Sequence, residues 1–325
     1  MKSIEVIFSN LAALSRGASG WCTHNPNVSA IIYDRAGNQV AIGVHKKKLS
    51  NDHAEVVAIN AAGERANGGT LYVSLEPCNH SGTTGPCTQV IKNSGIAKVV
   101  YGVSDPNPVA SGGADALRQS GVEVIQEQSS SLEFEQRAWL HRIAHGRPLI
   151  TAKIGITADG RIAASDGTSK WITSQDSRND VQLLRSQVQA IITSTATYLA
   201  DTPSLLPRIE GAPTPLRVVM GKRSINALGF KRINSHEFAE LLDFLNSEGV
   251  NHALVEAGGT FLSALLRADL IDELIIYQAP KILGSGTAWV EDLGITSLSD
   301  AIALETLSVT QIGADIKIHY RIVRS

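Results

Sequence analysis

The stretch His53-Ala54-Glu55, followed along the chain by Pro77-Cys78 and then by Cys87, is the most informative part of this sequence. One imidazole and two thiolates supply three protein ligands for Zn²⁺, and the fourth tetrahedral position stays open for water, as a catalytic zinc site requires. Glu55 follows the histidine closely enough to handle the protons of that water without binding the metal. The chain has only 3 Cys. Because two of them fall in this arrangement, a zinc site is favoured over a chance spacing of ligand types.

The two ends of this motif coincide with predicted helix starts. His53 is expected to precede a helix over 54–66, and Cys87 to begin a helix over 87–93. Positive helix ends favour thiolates, so these positions suit metal ligands. The other helices predicted for the first half run over 4–13, over 113–119 and up to 143. Strands are predicted over 28–33, 40–44, 71–75, 97–103 and 122–125. A linker-like stretch is predicted over 127–132.

Bulk properties predict a two-domain cytoplasmic enzyme. A length of 325 residues favours two domains, and a net charge of −2 gives no electrostatic reason for nucleic-acid or membrane binding. The apolar runs are too short to span a bilayer, and the first residues do not begin a signal peptide. With two of 3 Cys assigned as thiolate ligands, a disulfide framework is disfavoured and a reducing compartment is expected. The sequence leaves homo-oligomer formation open.

A second series of alternating strands and helices begins at Leu149. Strands are predicted over 149–154, 190–195 and 253–255, and helices over 175–187 and 261–266. The turn Gly258-Gly259-Thr260 lies between the last strand and the last helix, where free backbone N–H groups can hold a phosphate. A plain tight turn is an equally good interpretation of these glycines, since they do not form a dinucleotide fingerprint.

The pattern H-x-E…P-C…C is typical of zinc deaminases that act on nucleobase amines, in which the glutamate is the general acid/base. Here eight residues separate Cys78 from Cys87, whereas single-base deaminases usually carry P-C-x-x-C. This longer loop, together with the stretches 25–28 and 105–108, resembles the deaminase half of the bifunctional riboflavin-biosynthesis deaminase/reductase family. The longer loop would allow contact with a substrate larger than a free base.

The second half resembles the reductase half of the same family. The blocks are Lys153…Asp159-Gly160-Arg161, Ser169…Ser174, Thr193…Leu205 and Val255…Thr260. The resemblance therefore covers nearly the whole chain and implies an α/β protein. It implies a cytidine-deaminase-like three-layer domain over 1–146, followed by a dihydrofolate-reductase-like α/β domain over 147–325. It also implies Zn²⁺ and NADPH as cofactors and a small phosphoribosyl-aminopyrimidine as substrate.

Site residues follow from the resemblance position by position. It implies His53, Cys78 and Cys87 as zinc ligands and Glu55 as the catalytic acid/base. Substrate contacts are implied at Asn27, His45 and His80 in the first half and at Ser169, Arg185, Leu205, Arg208 and Glu256 in the second. Cofactor contacts are implied at Ile156, Trp171, Thr197, Asp201, Gly258, Gly259 and Thr260, and Lys222 is expected to face the 2′-phosphate of NADPH.

Each of these residues also has a purely structural interpretation. Trp171 and Leu205 are equally well explained as core residues. Arginines such as Arg185 and Arg208 are more often solvated surface residues unless an anion draws them in. A histidine such as His45 or His80 is more often a satisfied polar residue, and only its closeness to the zinc motif favours a role in the site.

The sequence departs from the family pattern in three places. Thr83 stands where the family usually carries a basic residue, and the lysine triplet 46–48 offers replacement charge or is simply a solvated surface. The spacing from His45 to His53 is longer by one residue. A strand-plus-loop segment that flanks the cofactor groove is missing before Asn251. Two rival hypotheses follow: a monofunctional zinc deaminase with a binding or dimerising second domain, and a catalytically silent paralogue, which the intact Glu55 disfavours.

Overall fold

The computed structural model describes residues 3–80 and 85–324. The chain divides into two compact units, Met1–Arg147 and Pro148–Ser325. Each unit has its own hydrophobic core.

A mixed five-stranded sheet forms the centre of the first unit. Its strand order is β2-β1-β3-β4-β5, with β1 antiparallel to β2 and β3, and with β3, β4 and β5 parallel. The strands are β1 (Ser29–Tyr33), β2 (Gln39–Val44), β3 (Thr70–Leu75), β4 (Lys98–Val103) and β5 (Glu123–Gln126). All five residues of β1 are buried, because this apolar strand lies inside the sheet with helices on both faces.

The helices of this unit form two layers around the sheet. They are α1 (Ile4–Ala18), α2 (Ala54–Ala62), α3 (Cys87–Asn93), α4 (Gly113–Gln119) and α5 (Ser130–His145). Helix α1 packs with α5, whereas α2 packs with α3 and α3 packs with α4. The predicted elements of this half are therefore present, but the linker-like stretch predicted over 127–132 is irregular only over 127–129. Helix α5 begins at Ser130 with Ser129 as its cap, because Leu132 is fully buried in the core.

Two glycines allow the close packing that positions the zinc-ligand motif. A Cβ at Gly43 in β2 would lie 1.9 Å from the Ala54 carbonyl oxygen, so only glycine lets the start of α2 rest on this strand. A Cβ at Gly113 would lie 1.7 Å from the Pro77 carbonyl oxygen. The residues that precede Cys78 are thereby packed directly against the start of α4.

The second unit contains a mixed eight-stranded sheet of order β10-β9-β8-β11-β6-β12-β15-β14. The first six strands in this order run parallel to one another, and β15 runs antiparallel to both of its neighbours, β12 and β14. The strands of the unit are β6 (Leu149–Thr157), β7 (Arg161–Ala164), β8 (Ala190–Ser194), β9 (Leu216–Met220), β10 (Lys231–Ile233), β11 (His252–Val255), β12 (Glu273–Ala279), β13 (Gly286–Ala288), β14 (Leu304–Ile312) and β15 (Asp315–Ile322). Strands β7 and β13 form a separate antiparallel pair.

The helices of the second unit connect these parallel strands. They are α6 (Gln175–Gln187), α7 (Thr195–Asp201), α8 (Phe238–Ser247) and α9 (Gly259–Arg267). Helix α9 begins two residues earlier than predicted, because Gly258 takes the extended backbone conformation of an N-cap. Strand β6 continues to Thr157 rather than ending at 154. Since the carboxyl ends of parallel strands meet at one edge of a sheet, the segments that follow β6, β8 and β11 come together there.

Candidate functional site

Three metal-ligating side chains converge in the first unit. His53 caps α2, Cys87 is the first residue of α3, and Cys78 lies in the loop that follows β3. The His53 Nδ1 atom lies 3.1 Å from the Cys87 Sγ atom and 3.5 Å from the Cys78 Sγ atom. All three ligand atoms lie within 4.8 Å of one another. The structure therefore brings the predicted ligands to one point.

The distances in this cluster fit a tetrahedral zinc ion. Zinc–nitrogen bonds of about 2.0 Å and zinc–sulfur bonds of about 2.3 Å separate neighbouring ligand atoms by about 3.5 Å in a tetrahedron. A hydrogen bond from Cys87 lowers the pKa of the Cys78 thiol to about 4, while burial opposes this shift and His53 supports it. Because thiolate is the form that binds metal, Cys78 is prepared for zinc.

The Glu55 carboxyl lies beside this cluster in the first turn of α2. The residue is only 3% exposed. Burial raises the pKa of its carboxyl, and the neighbouring His53 charge acts in the opposite direction. The structure therefore places a shielded carboxyl group next to the metal ligands, where it can exchange protons with a molecule bound there.

Two further histidines predicted for this site have ring nitrogens available to a ligand. The His45 ring is 5.4 Å from the His53 ring, centroid to centroid, and its Nδ1 atom bonds the Asp52 carbonyl oxygen at 2.8 Å. The buried Nε2 atom of His45 and the buried Nδ1 atom of His80 have no hydrogen-bond partner within 3–80 and 85–324. Thr83, which departs from the family pattern, lies outside the described residues.

Asn27 is committed to structural hydrogen bonds. Its side-chain nitrogen donates to the backbone carbonyl oxygens of Ser15 and Glu135, each at 3.1 Å. It thereby links α1 to α5. Its predicted substrate contact stays a prediction, and the amide nitrogen is already occupied.

A buried ion cluster in the second unit contains two of the predicted substrate residues. The Arg185 Nε atom donates to Glu256 Oε1 at 2.7 Å, and the Lys153 Nζ atom lies 2.9 Å from Glu256 Oε2. Although burial alone would raise it, the charges of Lys153 and Arg185 hold the pKa of Glu256 at about 2. The cluster therefore carries one net positive charge, which suits it to an anionic or polar substrate.

The other predicted substrate residues of this unit differ in their exposure. Leu205 is buried against Val188, Ile191 and Leu254, so its side chain is a core residue. Ser169 and Arg208 are exposed. Trp171, which was predicted as a cofactor contact, is 66% exposed. The Arg178 guanidinium lies over its ring at 4.3 Å, so the core interpretation fails for this tryptophan.

The predicted phosphate turn joins two helix starts. The Gly258 N–H donates to the Thr197 Oγ1 atom at 3.1 Å, and the Thr197 N–H donates to Ser194 Oγ at 3.1 Å. The Thr260 hydroxyl donates to a carboxylate oxygen of Glu291. The N–H groups of the first turn of α9 point out of the helix end, as in an anion-binding turn, whereas the N–H of the preceding Gly258 is already used by Thr197.

The remaining predicted cofactor residues lie near the carboxyl edge of the sheet. Ile156 is buried in β6, whereas Asp201 at the end of α7 and Lys222 after β9 are exposed. The sequence predicts that a strand-plus-loop segment of the family is missing before Asn251. Residues 221–250 of this chain contain β10 and α8. Whether the cofactor groove is shortened there stays a prediction.

Lys153 was not predicted as a site residue, although it lies in a block that resembles the family. A charged residue inside an otherwise apolar strand, as in Leu149–Thr157, was the available signal. A second ion pair was not predicted either: Asp180 of α6 accepts hydrogen bonds from Tyr277 and from Lys317 Nζ, the latter at 2.6 Å.

Comparisons with known proteins match both units. The model of the cytidine and deoxycytidylate deaminase zinc-binding region matches residues 2–103, and that of the RibD C-terminal domain matches residues 148–318. The riboflavin biosynthesis protein RibD of Mycobacterium tuberculosis is 36% identical over 97% of this chain and 96% of its own length. RibD of Escherichia coli is 37% identical over 91% of this chain and 94% of its own. The chain belongs to the RibD family of riboflavin biosynthesis proteins.

Solved structures agree with this family assignment. The Thermotoga maritima diaminohydroxyphosphoribosylaminopyrimidine deaminase/5-amino-6-(5-phosphoribosylamino)uracil reductase superposes with a TM-score of 0.88 at 27% identity, covering 98% of both chains. Acinetobacter baumannii RibD superposes with a TM-score of 0.86 at 28% identity, covering 98% of both chains. The predicted family and the predicted α/β class, with a deaminase-like unit before a reductase-like unit, are confirmed. Among the described residues, no helix combines the length and apolarity needed to cross a membrane.

Proposed function

We propose that this chain catalyses two reactions of riboflavin biosynthesis, a zinc-dependent deamination of a phosphoribosylamino-diaminopyrimidinone and an NADPH-dependent reduction of its ribosyl group to ribityl. The observation that carries this proposal is the His53, Cys78 and Cys87 cluster with the buried Glu55 beside it, in a chain that aligns with RibD proteins over nearly its whole length. We assign the deaminase to residues 1–146 and the reductase to 147–325. The division of the chain at Arg147 supports this assignment.

In the deaminase site, His53, Cys78 and Cys87 would hold the zinc ion. Bound zinc supplies the Lewis acidity that makes water nucleophilic near neutral pH. Glu55, buried next to the ligands, would accept a proton at its carboxylate and deliver it to the departing ammonia. His45 and His80 offer their unpartnered ring nitrogens to the pyrimidine, and Asn27 lies in the same region of the family pattern.

In the reductase site, the Lys153, Arg185 and Glu256 cluster orients the substrate. The guanidinium of Arg185 and the ammonium of Lys153 are held in place by one carboxylate, so their remaining donors are preorganised for substrate oxygens. Arg208, Ser169 and the backbone at Leu205 complete the substrate contacts. NADPH supplies the hydride that reduces the ribosyl carbon and opens the sugar.

The cofactor is assigned to the carboxyl edge of the same sheet. Thr197 and the turn 258–260 lie together there through the Gly258 hydrogen bond, and they would hold the pyrophosphate of the cofactor. Ile156, Trp171 and Asp201 would contact the cofactor as well, and Lys222 would lie near its 2′-phosphate. We further propose a cytoplasmic location, which the two metal-ligating thiols favour, and a homo-oligomer, which the exposed edge strand β14 favours.

Two spectroscopic assays on the purified, zinc-loaded chain test the proposed function. Ammonia release from the phosphoribosylamino-diaminopyrimidinone should need zinc and no NADPH, whereas NADPH oxidation should need the deaminated product. A chelator should stop the first reaction and leave the second intact when the deaminated product is supplied. Ammonia release without NADPH oxidation would indicate a monofunctional deaminase. The absence of both reactions would indicate a catalytically silent paralogue.

A further inference from the structure

The segment between β7 and α6 carries Trp171 and lies over the strand that supplies Lys153. A Cβ at Gly155 in β6 would lie 3.2 Å from the Thr173 Cγ2 atom, so Thr173 rests directly on this strand. Because residues two apart in a strand share a face, Gly155 lies on the same face of β6 as Lys153. The segment that carries Trp171 therefore borders the charged cluster of the second unit.

The ring of Trp171 is exposed but held. The residue is 66% exposed, and the Arg178 guanidinium lies 4.3 Å from the centroid of its ring. Arg178 is itself fixed, because its Nη1 atom donates to the Thr173 carbonyl oxygen at 2.6 Å and its Nη2 atom donates to Gln175 Oε1 at 2.7 Å. The guanidinium covers one face of the indole, and the exposed area lies chiefly on the other face and the edges.

The backbone of the same segment is held by Lys281, which lies in the loop after β12. The Lys281 Nζ atom donates to the Trp171 carbonyl oxygen at 2.8 Å and to the Ile172 carbonyl oxygen at 2.7 Å. These bonds use two of the three N–H donors of the ammonium group. One side chain thus fixes two consecutive carbonyl groups of the backbone that carries the indole.

The loop that presents Lys281 is anchored in turn. The Ala158 N–H donates to the Lys281 carbonyl oxygen at 2.8 Å. The Gly284 N–H donates to Asp159 Oδ2 at 2.6 Å, and the Arg161 Nε atom donates to the Gly284 carbonyl oxygen at 2.9 Å. The loop is therefore tied to the turn that follows β6, and the exposed Lys281 side chain extends from a fixed support.

An exposed aromatic ring that is held in place suits a flat heterocyclic ligand. Stacking a ligand on a mobile indole would cost the conformational entropy of ordering the side chain and its backbone. In this segment the ordering is already achieved by Lys281 and Arg178 before a ligand arrives. The nicotinamide of NADPH is a flat ring of the kind that stacks on an open aromatic face.

We propose that Lys281 is a positioning residue of the reductase, which holds the backbone at Trp171 so that the indole, covered on one face by Arg178, stacks on the nicotinamide of NADPH. This inference rests on the proposed function, which assigns Trp171 to the cofactor. Lys281 acts through Trp171 and needs no contact of its own with the cofactor.

Cofactor titrations of Lys281→Met, of Lys281→Arg and of the matched control Lys170→Met test this role. Lys170 is an exposed lysine next to Trp171 in the chain, so its loss removes the same charge from the same region. Once circular dichroism and chemical denaturation have shown unchanged folding, Lys281→Met should raise the Kd for NADPH roughly tenfold, the scale of one or two lost hydrogen bonds. Its kcat at saturating NADPH should change little. Lys281→Arg should restore most of the affinity, and Lys170→Met should bind as wild type does.

Two further measurements separate positioning from attraction of the cofactor phosphates by charge. 2′-Phospho-ADP-ribose, which is NADPH without its nicotinamide, should bind equally well to wild type and to Lys281→Met, because it has no nicotinamide ring to stack. In a Trp171→Ala background, Lys281→Met should cause no further loss of NADPH affinity, since the residue through which it acts is already removed.

Four results would overturn the proposal: no rise in the NADPH Kd of Lys281→Met, an equal rise for 2′-phospho-ADP-ribose, an equal effect of Lys170→Met, or a full additional loss in the Trp171→Ala background. If wild type binds no NADPH at all, the proposed reductase function itself fails and this inference fails with it, which is a distinguishable result.

Discussion

The two candidate sites differ in how the chain assembles them. The zinc ligands are chemically distinctive residues that lie at helix starts or in a loop within one short region, His53 to Cys87. The charged cluster of the second unit joins the middle of strand β6, the last turn of α6 and the segment after β11, through Lys153, Arg185 and Glu256. Sequence alone can therefore identify the first kind of site, whereas the second becomes visible only when parallel strands bring distant segments together.

The largest effect is expected from removing a zinc ligand. Cys78→Ser and Cys87→Ser should each lose zinc and all measurable ammonia release, since a site with three protein ligands tolerates no deletion. Cys22→Ala is the matched control and should retain about one zinc per chain. Metal analysis and ammonia assays check this prediction. Retention of zinc by both ligand variants would show that the cluster is not the metal site.

The next effect separates chemistry from metal binding within the same site. Glu55→Gln should retain zinc and fold but lose ammonia release by roughly two to four orders of magnitude, the usual contribution of a general acid/base. Its NADPH oxidation with the deaminated product should be unchanged. Near-normal ammonia release from this variant would remove Glu55 from the mechanism.

In the second unit, Glu256→Gln should reduce NADPH oxidation and destabilise the fold by about 3 kcal/mol, because it leaves Lys153 and Arg185 buried without their counter-charge. The exposed pair Arg321–Glu305 supplies the control, and Glu305→Gln should change stability by less than about 1 kcal/mol. Chemical denaturation of both variants measures the difference. Equal stability of Glu256→Gln and wild type would show that this ion cluster contributes nothing to the fold.

The same cluster predicts a dependence of stability on pH. The pKa of Glu256 falls from an ordinary 4.5 to about 2 on folding, so its stabilising effect is complete above pH 4.5 and is lost as pH falls toward 2. The difference in free energy of unfolding between wild type and Glu256→Gln should therefore narrow with acidification below pH 4.5. A difference that widens there would contradict the assigned charge state.

The smallest effect concerns cofactor choice. If Lys222 and the adjacent Arg223 face the 2′-phosphate, the double change to Ala should weaken NADPH binding roughly tenfold and leave NADH binding nearly unchanged, because only NADPH carries that phosphate. Titration of cofactor fluorescence measures both affinities. Equal losses for the two cofactors would remove these residues from the site, and no NADPH binding by wild type would favour a monofunctional deaminase.

Local signals explain what the sequence could predict of the fold. The hairpin of β1 and β2 and the helices that begin near His53 and at Cys87 have strong apolar periodicity or clear starts, and all were predicted. The antiparallel pair β14 and β15 was missed because β14 is exposed along most of its length and has no core-facing pattern. Glycines at 258 and 259 indicated a turn, but the first of them caps a helix that begins at the second.

Long-range packing and charge pairing explain why the roles of several site residues could not be decided from the sequence. Leu205 and Trp171 were equally plausible core residues, yet Leu205 is buried and Trp171 is exposed, since burial of a single apolar residue depends on long-range packing. Arg185 is held by Glu256, a partner that no local pattern could reveal. The zinc-ligand set needed no such information, because histidine and cysteine at this spacing have few structural alternatives.

Mass spectrometry of one reaction mixture tests the central claim most directly. Zinc-loaded protein is incubated with the phosphoribosylamino-diaminopyrimidinone, first without and then with NADPH. The proposed function predicts that the substrate first exchanges one amino group for oxygen and stops, and gains two hydrogens only after NADPH is added. A substrate that keeps its amino group, or that gains hydrogen before it loses ammonia, would contradict the assignment of deamination to the His53, Cys78 and Cys87 site and reduction to the second unit.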